Sequence, residues 1–152
     1  MSIKMVNVHR AFGEKEVLKG FSLEIQDGTT TTIIGGSGSG KSVALKHIVG
    51  LLRPDEGNIW VDEDIVSRLD QESVYRLRQR VGYVFQFAAL FDSMTIAENV
   101  GLGLRRMSDF PSEGIPDRVE ECLHLVDLDG YGERFPSQLS GGQRKRAGLA
   151  RA

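Results

Sequence analysis

A glycine- and serine-rich run between an apolar stretch and a helical stretch constrains this chain more than any other feature. Residues 30–34 are all β-branched and predict a buried strand, whereas residues 43–52 are largely apolar over a length typical of a helix. Residues 35–42 connect the two as a loop. The glycines of this loop let backbone N–H groups turn inward at the positive end of the helix, so the sequence predicts an anion-binding nest.

The same loop matches the P-loop pattern, which is glycine, any four residues and then Gly-Lys-Ser. Lys41 is expected to place a point charge on the β- and γ-phosphates, and the Ser42 hydroxyl is a hard oxygen ligand suited to Mg²⁺. A flexible Gly/Ser linker is the alternative, which the predicted flanking strand and helix disfavour. The pattern therefore predicts binding of a nucleoside triphosphate without showing how its energy is used. The residues predicted to bind it here are Gly35, Gly36, Ser37, Gly38, Ser39, Gly40, Lys41, Ser42 and Val43.

Length and charge exclude several classes of protein. A chain of 152 residues fits one domain, and a net charge of −2 disfavours a partner held by phosphate neutralisation, so we expect no nucleic acid. The first residues have no apolar core of signal-peptide length, and no run of about 18 apolar residues occurs. We therefore expect a cytosolic chain that does not itself cross a membrane. Cys122 lies on an apolar helical face and is expected to be buried.

Strand patterns surround the glycine-rich loop. Residues 3–8 and 21–25 alternate as half-buried strands do, and residues 59–61 follow a Pro-Asp-Glu-Gly turn into a third short strand. These predict an antiparallel β portion. Further along, residues 81–85 form an apolar run that predicts a second buried strand.

Helical patterns dominate the second half. Asp70 is placed to cap a helix that carries Val74 and Leu77, and residues 95–98 have the spacing of a capping box. Residues 117–127 predict an amphipathic helix. Residues 88–140 are therefore expected to be a helical insertion.

Leu139-Ser140-Gly141-Gly142-Gln143 offers a second phosphate-binding surface. A serine followed by two glycines at a helix start presents a hydroxyl, accessible N–H groups and the helix dipole. By itself the string is also explained by a serine-capped helix with a glycine-rich first turn. Together with the P-loop it resembles the ABC signature motif at every position.

Two weaker landmarks agree with this resemblance. Gln86, after the second predicted strand, is similar to the Q-loop glutamine, and Phe12 lies where the superfamily has an aromatic residue that stacks on adenine. Alone, such a phenylalanine is usually a core residue and such a glutamine a surface residue. The resemblance implies Lys41 and Gln86 as catalytic residues, and Ser42 and Gln86 as ligands of Mg²⁺.

The resemblance narrows to the Mla/Mce-associated ATPases, which energise phospholipid transport between membranes. Residues 85–95 resemble the Q-loop region of that subfamily, and residues 40–43 and 135–142 are also similar to it. Gln143 departs from the subfamily, which often has methionine at this position. The basic run 144–146 that follows is expected to be a solvated helix face.

For the fold, the resemblance implies an α/β P-loop NTPase of the ABC ATPase type, with an antiparallel β subdomain, a helical subdomain and a RecA-like core that is incomplete at the C-terminus. Residues 1–152 would form a single nucleotide-binding domain, with the β subdomain and P-loop core in 1–87 and the helical subdomain in 88–143. Two copies are expected to pair head to tail and to bind ATP and Mg²⁺ beside transmembrane permease subunits, at the cytosolic face of the inner or plasma membrane. The residues implied to contact the partner's ATP are Ser140, Gly141, Gly142 and Gln143.

Alternatives to a transporter ATPase remain at this stage. In the family the chain continues beyond the position of Ala152 into a strand that supplies an aspartate for Mg²⁺ and a glutamate for water, so we expect no hydrolysis by these 152 residues alone. An inert ATP-binding module is therefore one alternative. A non-transport ABC module of DNA repair or of the ribosome is another, although repair ATPases place long coiled coil where this chain has only residues 87–138.

Overall fold

The computed structural model describes residues 1–107 and 110–152. The described chain divides into two compact units, Met1–Val81 and Gly82–Ala152. Each unit has its own hydrophobic core. The subdomain division after residue 87 that the sequence suggests stays a prediction.

An antiparallel sheet forms much of the first unit. Its strands, which include β1 (Ile3–Phe12), β2 (Lys15–Ile25) and β3 (Glu56–Val61) with the short β4 (Asp64–Ile65), lie in the spatial order β2–β1–β3–β4. β1 and β2 are joined by a two-residue turn in which Gly13 has a φ of 60°. The predicted antiparallel portion is confirmed, and the first two strands extend well beyond residues 3–8 and 21–25.

Two helices pack with this sheet. Helix α1 (Lys41–Ile48) buries Ala44 and Ile48, and α2 (Gln71–Gln79) buries Leu77, in the same cluster as the inward-facing residues of the strands. The Asp70 carboxylate accepts a hydrogen bond from the Ser73 N–H at 2.8 Å, so the predicted cap of α2 is confirmed. A single 3₁₀ turn, Val66–Arg68, connects β4 to α2.

Gly57 sets how closely β3 approaches β1. Its φ is +86°, and a Cβ built on it would lie 2.2 Å from the carbonyl oxygen of Asn7. Asn7 itself has a φ of 49° and lies where the pairing of β1 with β3 is irregular, between Val6 and His9. Only glycine fits here, because any side chain would overlap the backbone of the neighbouring strand.

The second unit is helical. Ile96, Val119, Leu123 and Ala147, which lie on three different helices, meet in one buried cluster. The predicted capping box is confirmed, since Thr95 accepts from the Glu98 N–H while the Glu98 carboxylate accepts from the Thr95 N–H. The helix predicted over residues 117–127 begins two residues earlier and ends at His124. The helices are α3 (Ile96–Gly101), α4 (Ile115–His124) and α5 (Gly141–Arg151), with 3₁₀ turns at Leu104–Arg106, Ser112–Gly114 and Pro136–Gln138.

Asn99 on α3 is fully buried and fixes the chain that precedes its helix. Its Oδ1 accepts from the Phe91 N–H at 2.7 Å, and its Nδ2 donates to the carbonyl oxygens of Phe91 and Thr95 at 3.1 and 2.9 Å. A buried amide whose polar atoms are all bonded specifies one backbone path. Residues 91–95 are therefore held against α3.

The two predicted buried strands are wrong as secondary structure. Residues 30–34 and 81–85 form no strand in the described chain, and Ile34 is 91% exposed. A β-branched run becomes a strand only when a neighbouring strand pairs with its N–H and C=O groups and its faces are covered. Neither segment has such a partner among the residues that the structure describes.

The helices of the described chain are short. Across residues 1–107 and 110–152, none combines the length and the apolar character needed to cross a bilayer.

Candidate functional site

The predicted anion nest lies at the start of α1. Gly40 precedes this helix with a φ of 92°, and no described side chain caps the helix N-terminus. A Cβ on Gly40 would lie 3.1 Å from the Val17 carbonyl oxygen, so glycine allows the loop to lie against β2. Since the first amides of a helix have no partners within it, the N–H groups at Lys41 and Ser42 are available to an anion.

Lys41 turns its ammonium group back over the loop. Nζ donates to the carbonyl oxygens of Gly35 and Gly36 at 2.8 and 2.7 Å, and lies 3.4 Å from the Ser39 hydroxyl. These partners are neutral. A phosphate oxygen placed among them would add the attraction between opposite charges, which the carbonyl oxygens do not supply.

The Ser42 hydroxyl is exposed and makes no hydrogen bond within the described residues. Those residues hold no cluster of three or more His, Cys, Asp or Glu side chains that could bind a metal ion by itself. Mg²⁺ usually keeps several waters and is held by one or two protein groups together with substrate phosphates. A free hydroxyl beside a phosphate nest fits that kind of site.

A cavity of about 370 Å³ brings Phe12 together with the loop. Phe12 is the last residue of β1 and is 46% exposed, so one part of its ring is accessible. The cavity joins an aromatic surface to the amides at the helix start, which is the pairing that a nucleotide with a base and phosphates requires. The lining residues are Phe12, Lys15, Val17, Gly38, Ser39, Gly40, Lys41, Ser42 and Val43.

Sequence reasoning missed Lys15 and Val17 in this lining. Lys15 pairs with Phe12 across the turn between β1 and β2, and Val17 is two residues further along the same strand. The signal was present in the sequence, because residues two apart on a strand share a face and a turn at Gly13 sets the pairing.

The signature segment begins α5 with a complete capping box. The Ser140 hydroxyl accepts from the Gln143 N–H at 3.3 Å, and the Gln143 Oε1 accepts from the Ser140 N–H at 2.8 Å. The Gln143 Nε2 also donates to the Tyr131 hydroxyl at 3.1 Å. A Cβ on Gly141 or Gly142 would meet nothing within 4 Å, so the backbone of this first turn is open to an approaching group.

The basic run after the signature is not simply solvated, which corrects the sequence expectation. Arg144 donates to the carbonyl oxygen of Leu139, and Arg146 donates to those of Val126 and Asp127 at 2.7 and 2.9 Å. Two of the three basic side chains therefore tie α5 to the segments around it.

Gln86 is exposed and lies in a turn rather than at the end of a strand. The turn contains two successive residues with left-handed backbone, Ala88 with a φ of 61° and Ala89 with a φ of 51°. Ala88 packs against α5 at Gly148, where a Cβ would lie 2.7 Å from the Ala88 Cβ. Ser42 and Gln86 belong to different units, and their joint role at Mg²⁺ stays a prediction.

Comparison with known proteins decides the family. The family model described as "ABC transporter" matches residues 18–152. The chain belongs to the ABC transporter family. The predicted ABC ATPase fold is also confirmed, because two solved dimeric structures of a bacterial ABC transporter cassette resemble this ABC domain. For one of them, the TM-score is 0.89 and the sequence identity is 35%, and the match covers 98% of this chain and 68% of the cassette. In the other, bound to ADP and Pi after hydrolysis, the TM-score is 0.87 at 34% identity with the same coverage.

Curated relatives of this ABC domain carry several names. The sulfate/thiosulfate import ATP-binding protein CysA of Gloeobacter violaceus is 46% identical over all of the chain and 42% of its own length. The chloroplastic protein TRIGALACTOSYLDIACYLGLYCEROL 3 of Arabidopsis thaliana is 42% identical over 99% of the chain and 43% of its own length. The probable ribonucleotide transport ATP-binding protein mkl of Mycobacterium leprae is 39% identical over all of the chain and 44% of its own length. The chain thus spans less than half the length of these relatives, and they support the family without confirming the Mla/Mce subfamily.

Proposed function

We propose that this ABC domain binds Mg-ATP and that the intact protein hydrolyses it to drive transport across a membrane. The observation that carries the proposal is the cavity that joins the Phe12 ring to the uncapped start of α1, with the Lys41 ammonium inside the loop. We propose that the ring stacks on adenine. The helix amides and Lys41 would bind the β- and γ-phosphates.

The chemistry assigned to the chain is positioning and charge stabilisation. Phosphoryl transfer to water demands little covalent work from a protein, so fixed donors and cations around the phosphates account for most of the catalysis. Ser42 would hold Mg²⁺, which would neutralise charge on the phosphate oxygens when bound. We propose that Gln86 connects this metal and the attacking water to the surface that receives the membrane subunit.

A second copy of the protein would complete the site. We propose that two copies pair head to tail, so that Ser140, Gly141, Gly142 and Gln143 of one copy contact the ATP bound by the other. The open backbone at Gly141 and Gly142 supports this role, as do the two similar cassettes solved as dimers. The helix dipole of α5 would add its positive end to the nucleotide.

We propose a membrane partner on the basis of the names of the relatives. Relatives named as import ATP-binding proteins indicate a subunit that works beside permease subunits. We propose that the protein lies in the cytoplasm, peripheral on the cytosolic face of the inner or plasma membrane, and that the permease holds it there.

For the cargo we propose phospholipid, on the resemblance of residues 85–95 to the Mla/Mce ATPases and on a relative whose name is that of a glycerolipid. Sulfate import is the second candidate, because several relatives at 42–46% identity are named as sulfate/thiosulfate importers. Relatives with different cargoes lie within a few per cent of one another in identity. Overall identity therefore does not choose between the cargoes.

The test is a Lys41→Ala variant of the intact protein, with Lys46→Ala on the same helix as the matched control. Lys41→Ala should lower steady-state ATP hydrolysis on the order of 10²-fold or more, because the phosphates lose a cation placed by the loop. Lys46→Ala should stay within about twofold of the parent, since surface substitutions rarely perturb a site. Reconstitution with the permease in liposomes then separates the cargoes by ATP-dependent movement of labelled phospholipid or labelled sulfate. Hydrolysis by Lys41→Ala within about threefold of the parent would contradict the assignment of this site.

A further inference from the structure

We propose that Arg10 is a positioning residue for nucleotide binding, which holds the Phe12 ring with one face covered so that the other face can receive the base. Arg10 and Phe12 are two residues apart on β1 and so share a face of the strand. The Arg10 guanidinium carbon lies 4.9 Å from the centroid of the Phe12 ring, which is within the range of a cation–π contact. This inference rests on the proposed function.

Asp55 fixes the guanidinium in that place. Arg10 Nη1 donates to Asp55 Oδ1 at 2.6 Å, while Asp55 Oδ2 accepts from the Ala11 N–H at 2.7 Å. The Asp55 N–H in turn donates to the His9 carbonyl oxygen at 2.9 Å. The Ala11 N–H, followed by the Arg10 charge, holds the pKa of Asp55 below its usual range, so the carboxylate stays ionised at neutral pH.

The hydrogen bonds alone do not account for where Arg10 lies. Its Nε–H is buried and has no partner among the described residues. A guanidinium placed only for hydrogen bonding would be expected to satisfy this donor. Contact with the aromatic face supplies the remaining reason for the position.

The arrangement acts on one side of the nucleotide cavity. Phe12 belongs to the cavity lining, and Arg10 does not. A ring already fixed between a cation and the cavity loses less side-chain entropy when a base stacks on it than a free ring would. Arg10 therefore favours binding of the base and has no part in binding the phosphates.

Two ligands separate these contributions in the intact protein, Mg-ATP and Mg-tripolyphosphate, with affinities measured by calorimetry. Arg10→Met should weaken Mg-ATP about three- to fivefold, because the ring must then lose its freedom on binding, and leave Mg-tripolyphosphate unchanged. Arg10→Lys should restore most of the Mg-ATP affinity. Asp55→Asn keeps an acceptor for the Ala11 N–H but removes the charge, and it should give a smaller loss for Mg-ATP alone.

A double-mutant cycle with Phe12→Leu completes the test. In the Phe12→Leu background, Arg10→Met should have no further effect, because Arg10 acts through the ring. Equal losses for both ligands, no loss for Mg-ATP, or a loss that persists without the ring would each overturn the inference about Arg10. Failure of the proposed function looks different, since the unmodified protein would then bind neither ligand, or Lys41→Ala would leave tripolyphosphate binding intact.

Discussion

At the scale of single residues, the signature glutamine is already engaged within its own chain. Both polar atoms of the Gln143 side chain have partners, the Ser140 N–H at 2.8 Å and the Tyr131 hydroxyl at 3.1 Å. The Arg134 guanidinium carbon lies 4.1 Å from the centroid of the Tyr131 ring, within the range of a cation–π contact. Gln143 is therefore placed to orient Ser140, whatever it also contacts on a partner's nucleotide.

We predict that the Gln143→Glu variant of the intact protein retains most of its rate of ATP hydrolysis, whereas Gln143→Ala lowers this rate about tenfold. Glutamate keeps an acceptor for the Ser140 N–H and can accept from the Tyr131 hydroxyl, while alanine removes both bonds. Tyr131→Phe should fall between them, at about two- to tenfold, with Tyr83→Phe as an unaffected control. Steady-state hydrolysis and ATP affinity are the measurements. If Gln143→Glu is as impaired as Gln143→Ala, the amide acts mainly through its proposed contact with the partner's nucleotide, and its bonds to Ser140 and Tyr131 contribute little to hydrolysis.

The contacts within the P-loop follow from neighbouring residues, whereas contacts between distant parts of the chain could not be predicted from the sequence. Lys41 lies where eight consecutive residues put it, because its partners Gly35 and Gly36 belong to the same loop. The contact of Arg146 could not be predicted, because its acceptor, the carbonyl oxygen of Val126, is twenty residues away in sequence. No periodicity in the sequence reports such a partner.

At the scale of elements, the start of a helix is predictable where a capping residue occurs at its N-terminus. Asp70 and Thr95 begin their helices as expected, since a cap and its N–H partner lie within three residues. Residues 30–34 have equally clear strand composition and yet form no strand. A helix satisfies its backbone within itself, whereas a strand needs a neighbour that its own sequence does not contain.

The contact between β1 and β3 gives a prediction at this scale. Gly57→Ala should destabilise the first unit by about 3 to 5 kcal/mol, because its Cβ would overlap the Asn7 carbonyl and its φ is unfavourable for alanine. Gly28→Ala is the matched control, since Gly28 also has a positive φ but has nothing within 4 Å. It should lose only about 1 to 2 kcal/mol.

Urea unfolding monitored by the fluorescence of Trp60 on β3 measures both changes. The chain contains one tryptophan, so the signal reports this sheet. Similar midpoints for the two variants would mean that β1 and β3 separate easily, and that the close approach at Gly57 contributes little to stability.

At the scale of the whole molecule, the proposed site is shared between two copies. We predict that Ser140→Arg leaves the Mg-ATP affinity of the isolated monomer within about threefold of the parent but lowers hydrolysis on the order of 10²-fold. In the proposed head-to-tail pairing, a bulky cation at Ser140 would obstruct the partner's nucleotide and leave the P-loop of its own copy unchanged. Ser137→Arg, an exposed change just before the signature, is the control and should hydrolyse normally.

Calorimetry on the monomer and steady-state hydrolysis on the dimer give the two readouts. A loss of monomer affinity as large as the loss of hydrolysis would show that the signature acts on the nucleotide of its own copy. The proposed head-to-tail pairing would then be wrong.

The contact between Ala88 and Gly148 limits how this sequence can change. A Cβ at residue 148 would overlap both Cα and Cβ of Ala88, and Ala88 already has a left-handed backbone. Glycine at residue 88 would remove the overlap with Cβ and relieve that backbone, but the overlap with Cα, at 2.9 Å, would remain. A larger residue at 148 therefore requires the backbone of the turn after Gln86 to shift, so we expect this turn and the signature helix to change together in evolution.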